Sequence, residues 1–197
     1  MLGEISKAVA KAHEFLQAAQ KAGFTVKLLE FFTHNHEAFC KLVEFAKTLL
    51  RPTYKVVLDC GKTIAQMLKE GEYDWMNEDI TDEHFPVVGT EAGEGEITLF
   101  HFGKWMSSKN AIAEMAKEGY RPANATKLLA LGKAQPDLQR EFPIVALGQT
   151  WQYPRGNLMV VCLGEDDSKR RANLGFFDGD WHGDWRFAAV REEKLEA

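Results

Sequence analysis

Cysteine is scarce in this 197-residue chain: Cys40, Cys60 and Cys162 are its three, an odd number at wide spacing. That excludes a disulfide framework and reads as reduced, mostly buried thiols of a cytosolic protein. An excess of basic charge is missing too. The 24 Lys and Arg against 29 Asp and Glu leave a formal net charge of −5, so the footprint that neutralises phosphate is absent and nucleic acid is not the expected partner. No apolar run approaches the ~20 residues of a membrane span, which argues against a membrane partner. Met1-Leu2-Gly3-Glu4 lacks the basic-then-apolar pattern of a secretory signal. The expected location is the cytoplasm, with a virus particle as the alternative. What the chain does have is 45% hydrophobic residues, ample at this length to bury a core.

The halves differ in period. Ile5, Val9, Ala12, Leu16 and Ala19 recur three or four apart before Gly23, a helix pattern with a closing glycine. A second helical stretch starts at Val26 with Leu28, Leu29, Phe31 and Phe32. A third runs from a cap at Asn35 through Phe39, Leu42, Val43, Ala46 and Leu50 to Arg51-Pro52. The polar positions between predict helices that pack on one side only. Tyr54–Leu58 reads as a short strand and Thr63–Lys69 as a helix closed by Gly71. The segment Phe85–Gly95, with Pro86, Gly89, Gly93 and Gly95, reads as a linker or long loop.

Beyond it Glu96–Phe102 alternates as a strand does. Ser107-Ser108 offers a cap for a helix that turns Ile112, Met115 and Ala116 inward and ends at Gly119. Arg121-Pro122 leads into a helix with Ala125, Leu128, Leu129 and Leu131, closed near Gly132. From Phe142 the runs Pro143–Leu147, Leu158–Leu163, Ala172–Leu174 and Arg186–Val190 are short, apolar and separated by turn residues. Strand, helix, helix and then several strands, without βαβ alternation, is an α+β class with an antiparallel sheet.

No chemical motif is complete. Gly61-Lys62-Thr63 lacks the glycine five residues upstream that a phosphate loop needs, since Val56 stands there, and reads as a turn opening a helix. His34, His36 and Cys40 fall short of the four ligands of a structural zinc, so no metal is expected. Glu165-Asp166-Asp167, with Asp178 and Asp180, lacks the spacing of the twelve-residue calcium loop. Cys162 lies in an apolar run with no histidine near it in sequence. Neither a catalytic set nor a cofactor is expected. The run Gly175–Trp185, in contrast, interleaves four aromatic rings with Asp, Gly and His and contains no Lys, Glu, Gln or Met. Rigid rings beside short polar groups are what adaptable recognition surfaces use. Its tryptophans are expected to pack inward and its polar residues to face solvent.

The stretch Ile97–Arg191 resembles the C-type lectin fold in its order of elements. Gly119-Tyr120-Arg121-Pro122-Ala123 and the ending Trp185–Arg191 are similar to segments of that superfamily. More narrowly, Pro143–Gly148, Trp151 and Asn173-Leu174 through Phe187–Arg191 resemble the variable proteins of diversity-generating retroelements, of the kind found in archaea and small-genome bacteria. In that family a reverse transcriptase miscopies adenines, so asparagine codons scatter while the other codons stay fixed.

The resemblance implies residues 1–92 as a mainly helical N-terminal segment and 93–192 as a C-type lectin-like domain whose final strand pairs with its first. It implies a non-enzymatic binder of a protein or other macromolecule through a hypervariable surface. Trp151, Trp181, Arg186, Phe187, Val190 and Arg191 match the fixed framework. Tyr153, Arg155, Gly164, Asp166, Asp167, Ser168, Gly175, Phe176, Asp178, Gly179, Asp180, His182, Gly183 and Asp184 are the candidate diversified, ligand-binding positions. The Glu-Pro-Asn and Trp-Asn-Asp motifs of calcium-dependent sugar-binding lectins are absent. Two alternatives stay open: a lectin-fold enzyme related to the formylglycine-generating oxidases, and an assembly protein that oligomerises through its helical segment. A monomer is the default.

Overall fold

The computed structural model describes residues 11, 14–15, 17–49 and 51–192. The chain divides into two compact units, Met1–Leu50 and Arg51–Ala197.

In the first unit residues 17–21 are helical; the expected positions Ile5, Val9, Ala12 and Leu16 lie outside the described residues. Helix α1 (Val26–His34) starts at Thr25, whose hydroxyl accepts the Leu28 N–H, and α2 (His36–Leu49) follows after Asn35. Phe24, Phe31 and Phe39 all ring Phe32, at centroid distances of 5.9, 5.4 and 6.4 Å. Even so, α1 buries no residue. The one-sided packing expected of these helices is therefore not formed within α1.

The second unit is built on a sheet that, among the described residues, has nine strands. In chain order they are β1 (Thr53–Asp59), β2 (Trp75–Met76), β3 (Ala92–Phe100), β5 (Tyr120–Pro122), β6 (Ile144–Val145), β7 (Trp151–Gln152), β8 (Leu158–Asp166), β9 (Lys169–Phe176) and β11 (Arg186–Arg191). The main order is β1-β3-β11-β6-β8-β9-β2, with β5 beside β11 and β7 beside β8. Pairing is antiparallel except for β11 with β6 and β2 with β9. A separate small ladder joins β4 (Met106–Ser107) to β10 (Asp180–Trp181). The α+β class with a mostly antiparallel sheet is thus present. The terminal strand pairs with the early one, Phe187 opposite Phe100 and Ala188 opposite Leu99.

Both faces of the sheet are covered. Along β8 and β11 alternate residues enter different clusters: Val161, Leu163, Ala188 and Val190 one, Val160, Cys162, Phe187 and Ala189 the other. The first cluster is closed by α3 (Ile64–Glu70) and α5 (Ala125–Ala134), the second by α4 (Ser108–Lys117) and the β4/β10 ladder. Coverage on both sides explains why Met159–Leu163 is an unbroken apolar run rather than an alternating one.

Local signals work as physics requires. Thr63 and Gln66 form a capping box at the start of α3, Ser107 caps α4 and Asn124 caps α5. A short helix α6 (Leu138–Glu141) precedes β6.

Four expectations are corrected. The unit boundary falls at Leu50/Arg51 and not at 92/93, because β1 pairs along its whole length with β3 and so binds residues 51–92 to the sheet. The last part of the expected linker, Ala92–Gly95, is therefore strand. Gly132 does not close a helix; it lies inside α5, its Cα hydrogen turned onto the Tyr73 hydroxyl. On α4 it is Ala111, not Ala116, that is buried beside Met115.

Candidate functional site

The segment from Phe177 to Trp185 crosses the β8–β9 hairpin. At one end the Phe177 N–H donates to the Leu158 carbonyl, and at the other the Arg186 N–H donates to that of Pro143. Between these ends it alternates. Asp178, Asp180, His182 and Asp184 are exposed, whereas Trp181 is buried and Gly179, Gly183 and Trp185 are half-buried.

Trp181 holds the segment down. Its indole Nε1–H donates to Ser108 Oγ at 2.8 Å, and that hydroxyl donates to the Phe177 carbonyl at 2.6 Å. The ring meets Trp185 at 4.6 Å and lies against Gly175, where a Cβ would come within 2.6 Å of it. A buried tryptophan with its N–H satisfied and its faces packed is a fixed post for flanking residues whose side chains face solvent.

On the outer side His182 Nδ1–H donates to Asp184 Oδ1 at 2.8 Å, the carboxylate being able only to accept. Trp105, 65% exposed, stands edge-on to the His182 ring at 5.0 Å. His101 Nε2–H ties the Gly183 carbonyl at 2.8 Å. Neither Trp105 nor His101 was expected from sequence. They lie in a loop about 80 residues upstream and are brought here by the β4/β10 ladder.

Asp184 and Trp185 also form one wall of a groove of about 500 Å³. Its other lining includes Gly164, Asp166, Arg140 and Arg171. Arg171 pairs with Asp166 at 2.6 Å, and Arg140 donates to the Ser168 carbonyl. Cys162 lies at the bottom, and burial pushes its thiol up to about 12. A thiol held protonated in this way is a structural group and a poor nucleophile.

The expected positions are not one patch. Gly164, Asp166 and Asp184 share the groove, and Asp167 and Ser168 form the β8–β9 turn beside it, with φ of 50° and 62°. Both central residues having positive φ is the tight hairpin turn that matches strand twist. Tyr153, Arg155 and Phe176 gather at the other end of the hairpin, where Trp151 and Phe176 flank Met159. The seven residue steps along the hairpin separate the two groups by about 24 Å. Gly175 is occluded by the Trp181 ring. Of the framework positions Trp181, Phe187 and Val190 are buried, Trp151 and Arg186 half-buried and Arg191 exposed. His84 stacks on Trp151 at 3.8 Å.

One buried charge fixes the hairpin and was invisible in sequence. Arg170, 6% exposed, donates to the carbonyls of Gly71, Glu72 and Gly132 and to Gln139 Oε1 at 2.8–3.3 Å, with Tyr73 under its guanidinium. Gly71 and Gly132 end α3 and belong to the last turn of α5, so the cation sits where helix dipoles favour it.

The sites set aside on sequence have local partners. Lys62 pairs with Glu70 at 2.7 Å, His34 turns back to the Glu30 carbonyl, and His36 meets Cys40 at 3.5 Å. Among the described residues no group of three or more His, Cys, Asp or Glu side chains is placed to hold a metal, and no helix is long and apolar enough to cross a membrane. Comparison with protein-family models, curated proteins and solved structures finds no match.

Proposed function

We propose that this chain is a non-enzymatic ligand-binding protein: a C-type lectin-like scaffold whose loop surface is diversified by a retroelement and recognises a protein or other macromolecule. The carrying observation is the alternation from Asp178 to Trp185, with polar residues out and Trp or Gly in. Side chains at the four exposed positions can change without touching the core, since surface substitutions away from structural features alter stability by about 0.5 kcal/mol or less. The pairing of β11 with β3 supports the lectin-like reading, because that scaffold closes its first strand on its last.

The contact surface in this reading runs from Trp105 and His182 through Asp184 into the groove at Gly164 and Asp166. Tyr153, Arg155 and Phe176, at the far end of the hairpin, form a second patch. The protein would act in the cytoplasm or on a virus particle.

The test is the DNA around the gene. The expected result is a near-identical repeat of the 3′ end differing at adenines, next to a reverse transcriptase gene. A gene with no such repeat in any strain overturns the proposal.

A further inference from the structure

Strand β1 is the outermost strand on its side of the sheet, and one of its edges is open. The phase of its ladder says which groups face outward. The Leu99 N–H donates to the Pro52 carbonyl and the Cys60 N–H to that of Glu91, both at 3.0 Å. Bonding to β3 therefore belongs to the even-numbered residues Tyr54, Val56 and Leu58. The N–H and C=O groups of Thr53, Lys55, Val57 and Asp59 point away from the sheet.

At this edge the Asp59 carbonyl accepts the Lys62 N–H in the following turn, and its carboxylate accepts that of Gly61. Among the described residues nothing bonds to the backbone groups of Lys55 and Val57 or to the Lys55 ammonium. Val57 is 73% exposed. An edge with outward amides, a bare valine and no proline is a template for another strand.

We propose that β1 pairs with β1 of a second copy of this chain, antiparallel, with Val57 opposite Val57. The self-complementarity of the strand carries this. Thr53, Lys55, Val57 and Asp59 have both outward amides and side chains on one face, so any two-fold antiparallel pairing sets them against one another. With Val57 at the centre, Lys55 of each copy faces Asp59 of the other, giving two cross-strand ion pairs around a valine pair. Centring on Val56 sets Lys55 against Val57 and Asp59 against Thr53. Centring on Lys55 sets lysine against lysine. Within β1 only the first of these registers opposes unlike charges, and unlike cross-strand pairs stabilise while like ones destabilise. The two sheets would become one, with α3 and α5 of both copies on the same side.

Sedimentation equilibrium of the full chain tests this, with unfolding curves confirming that each variant is folded. The wild type is expected to dimerise. Lys55→Asp, or Asp59→Lys, sets like charges at two places per dimer and should weaken self-association about tenfold or more. Mixing the two variants should restore it, because in the mixed dimer each Asp again meets a Lys. Independently of any variant, amide exchange at Lys55 and Val57 in the wild type should slow as protein concentration rises. A monomeric wild type overturns the proposal. So does a dimer indifferent to Lys55→Asp, a pair of folded variants that fail to complement, or exchange at Lys55 and Val57 that ignores concentration.

Discussion

In α1 the residues Val26, Leu28, Leu29 and Phe31 are all exposed, whereas in α5 Leu128, Leu129 and Leu131 are sealed against the sheet. Both helices carry apolar residues three and four apart, and both begin at a capped residue. The difference lies in what stands opposite. For α5 that is the face of β1 and β8, with Val56, Leu58, Val161 and Leu163 in the same cluster. For α1 it is mainly a ring of phenylalanines around Phe32. Periodicity reports which face of a helix is apolar. It does not report whether anything covers that face.

Truncation at matched positions measures this contrast most strongly. Leu128→Ala should cost about 2–5 kcal/mol in denaturant unfolding, the removed methyl groups leaving a cavity that the sheet cannot fill. Leu29→Ala should stay within about 0.5 kcal/mol. Equal losses at the two sites would break the comparison, since they would mean that α1 is covered as fully as α5.

A smaller effect sharpens the account of how the helices of the sheet unit are tied down. Arg170→Met keeps an unbranched apolar stem over Tyr73 but strands the carbonyls of Gly71 and Gly132 in a buried site. About 1–3 kcal/mol of stability should be lost, read from the shift in the unfolding midpoint. An unchanged midpoint would show that water replaces the guanidinium and that the clip is dispensable.

The smallest effect is a pH signature. Hydrogen bonds from Lys133 and Lys62 hold the exposed Glu70 carboxyl down to about 2, below its usual 4.5. A carboxyl lowered in the folded state contributes stability above its unfolded value and loses that contribution as pH falls from about 4.5 toward 2. Glu70→Gln should flatten acid unfolding in that window by lowering the neutral-pH plateau while leaving the acid end unchanged, and the drop should be small because the pair is exposed to solvent. An unaltered acid limb would mean that Glu70 does not link α3 to α5.

What could be read in the sequence was local. The helix start at Thr63, the cap at Ser107, the strand Tyr54–Leu58 and the apolar runs after Phe142 all follow from neighbours within a few residues. What could not be read depends on distant partners. Gly93 and Gly95 look like loop glycines, yet they lie in β3, and at Gly95 a Cβ would come within 2.7 Å of the Leu58 side chain. Gly132 looks like a helix end because the packing of Tyr73 on it, from 59 residues upstream, leaves no trace nearby. Arg170 looks like one more surface cation in Lys169-Arg170-Arg171, and only the fold supplies the carbonyls that bury it.

The candidate site divides in the same way. That tryptophans would turn in and Asp and His out between Asp178 and Trp185 was legible from the alternation of types. That Tyr153 and Arg155 lie far from Asp166 along the hairpin, and that Trp105 stands against His182, required the strand register.

The central claim is that Trp181 and the sheet fix the frame while the exposed side chains between Asp178 and Asp184 are interchangeable. Its most direct test randomises Asp178, Asp180, His182 and Asp184 together, follows cooperative unfolding of individual members, and pans the pool against unrelated proteins. The account predicts that most members unfold near the parent's midpoint and that binders emerge for more than one target. A pool that mostly fails to fold, or that folds and binds nothing, contradicts it.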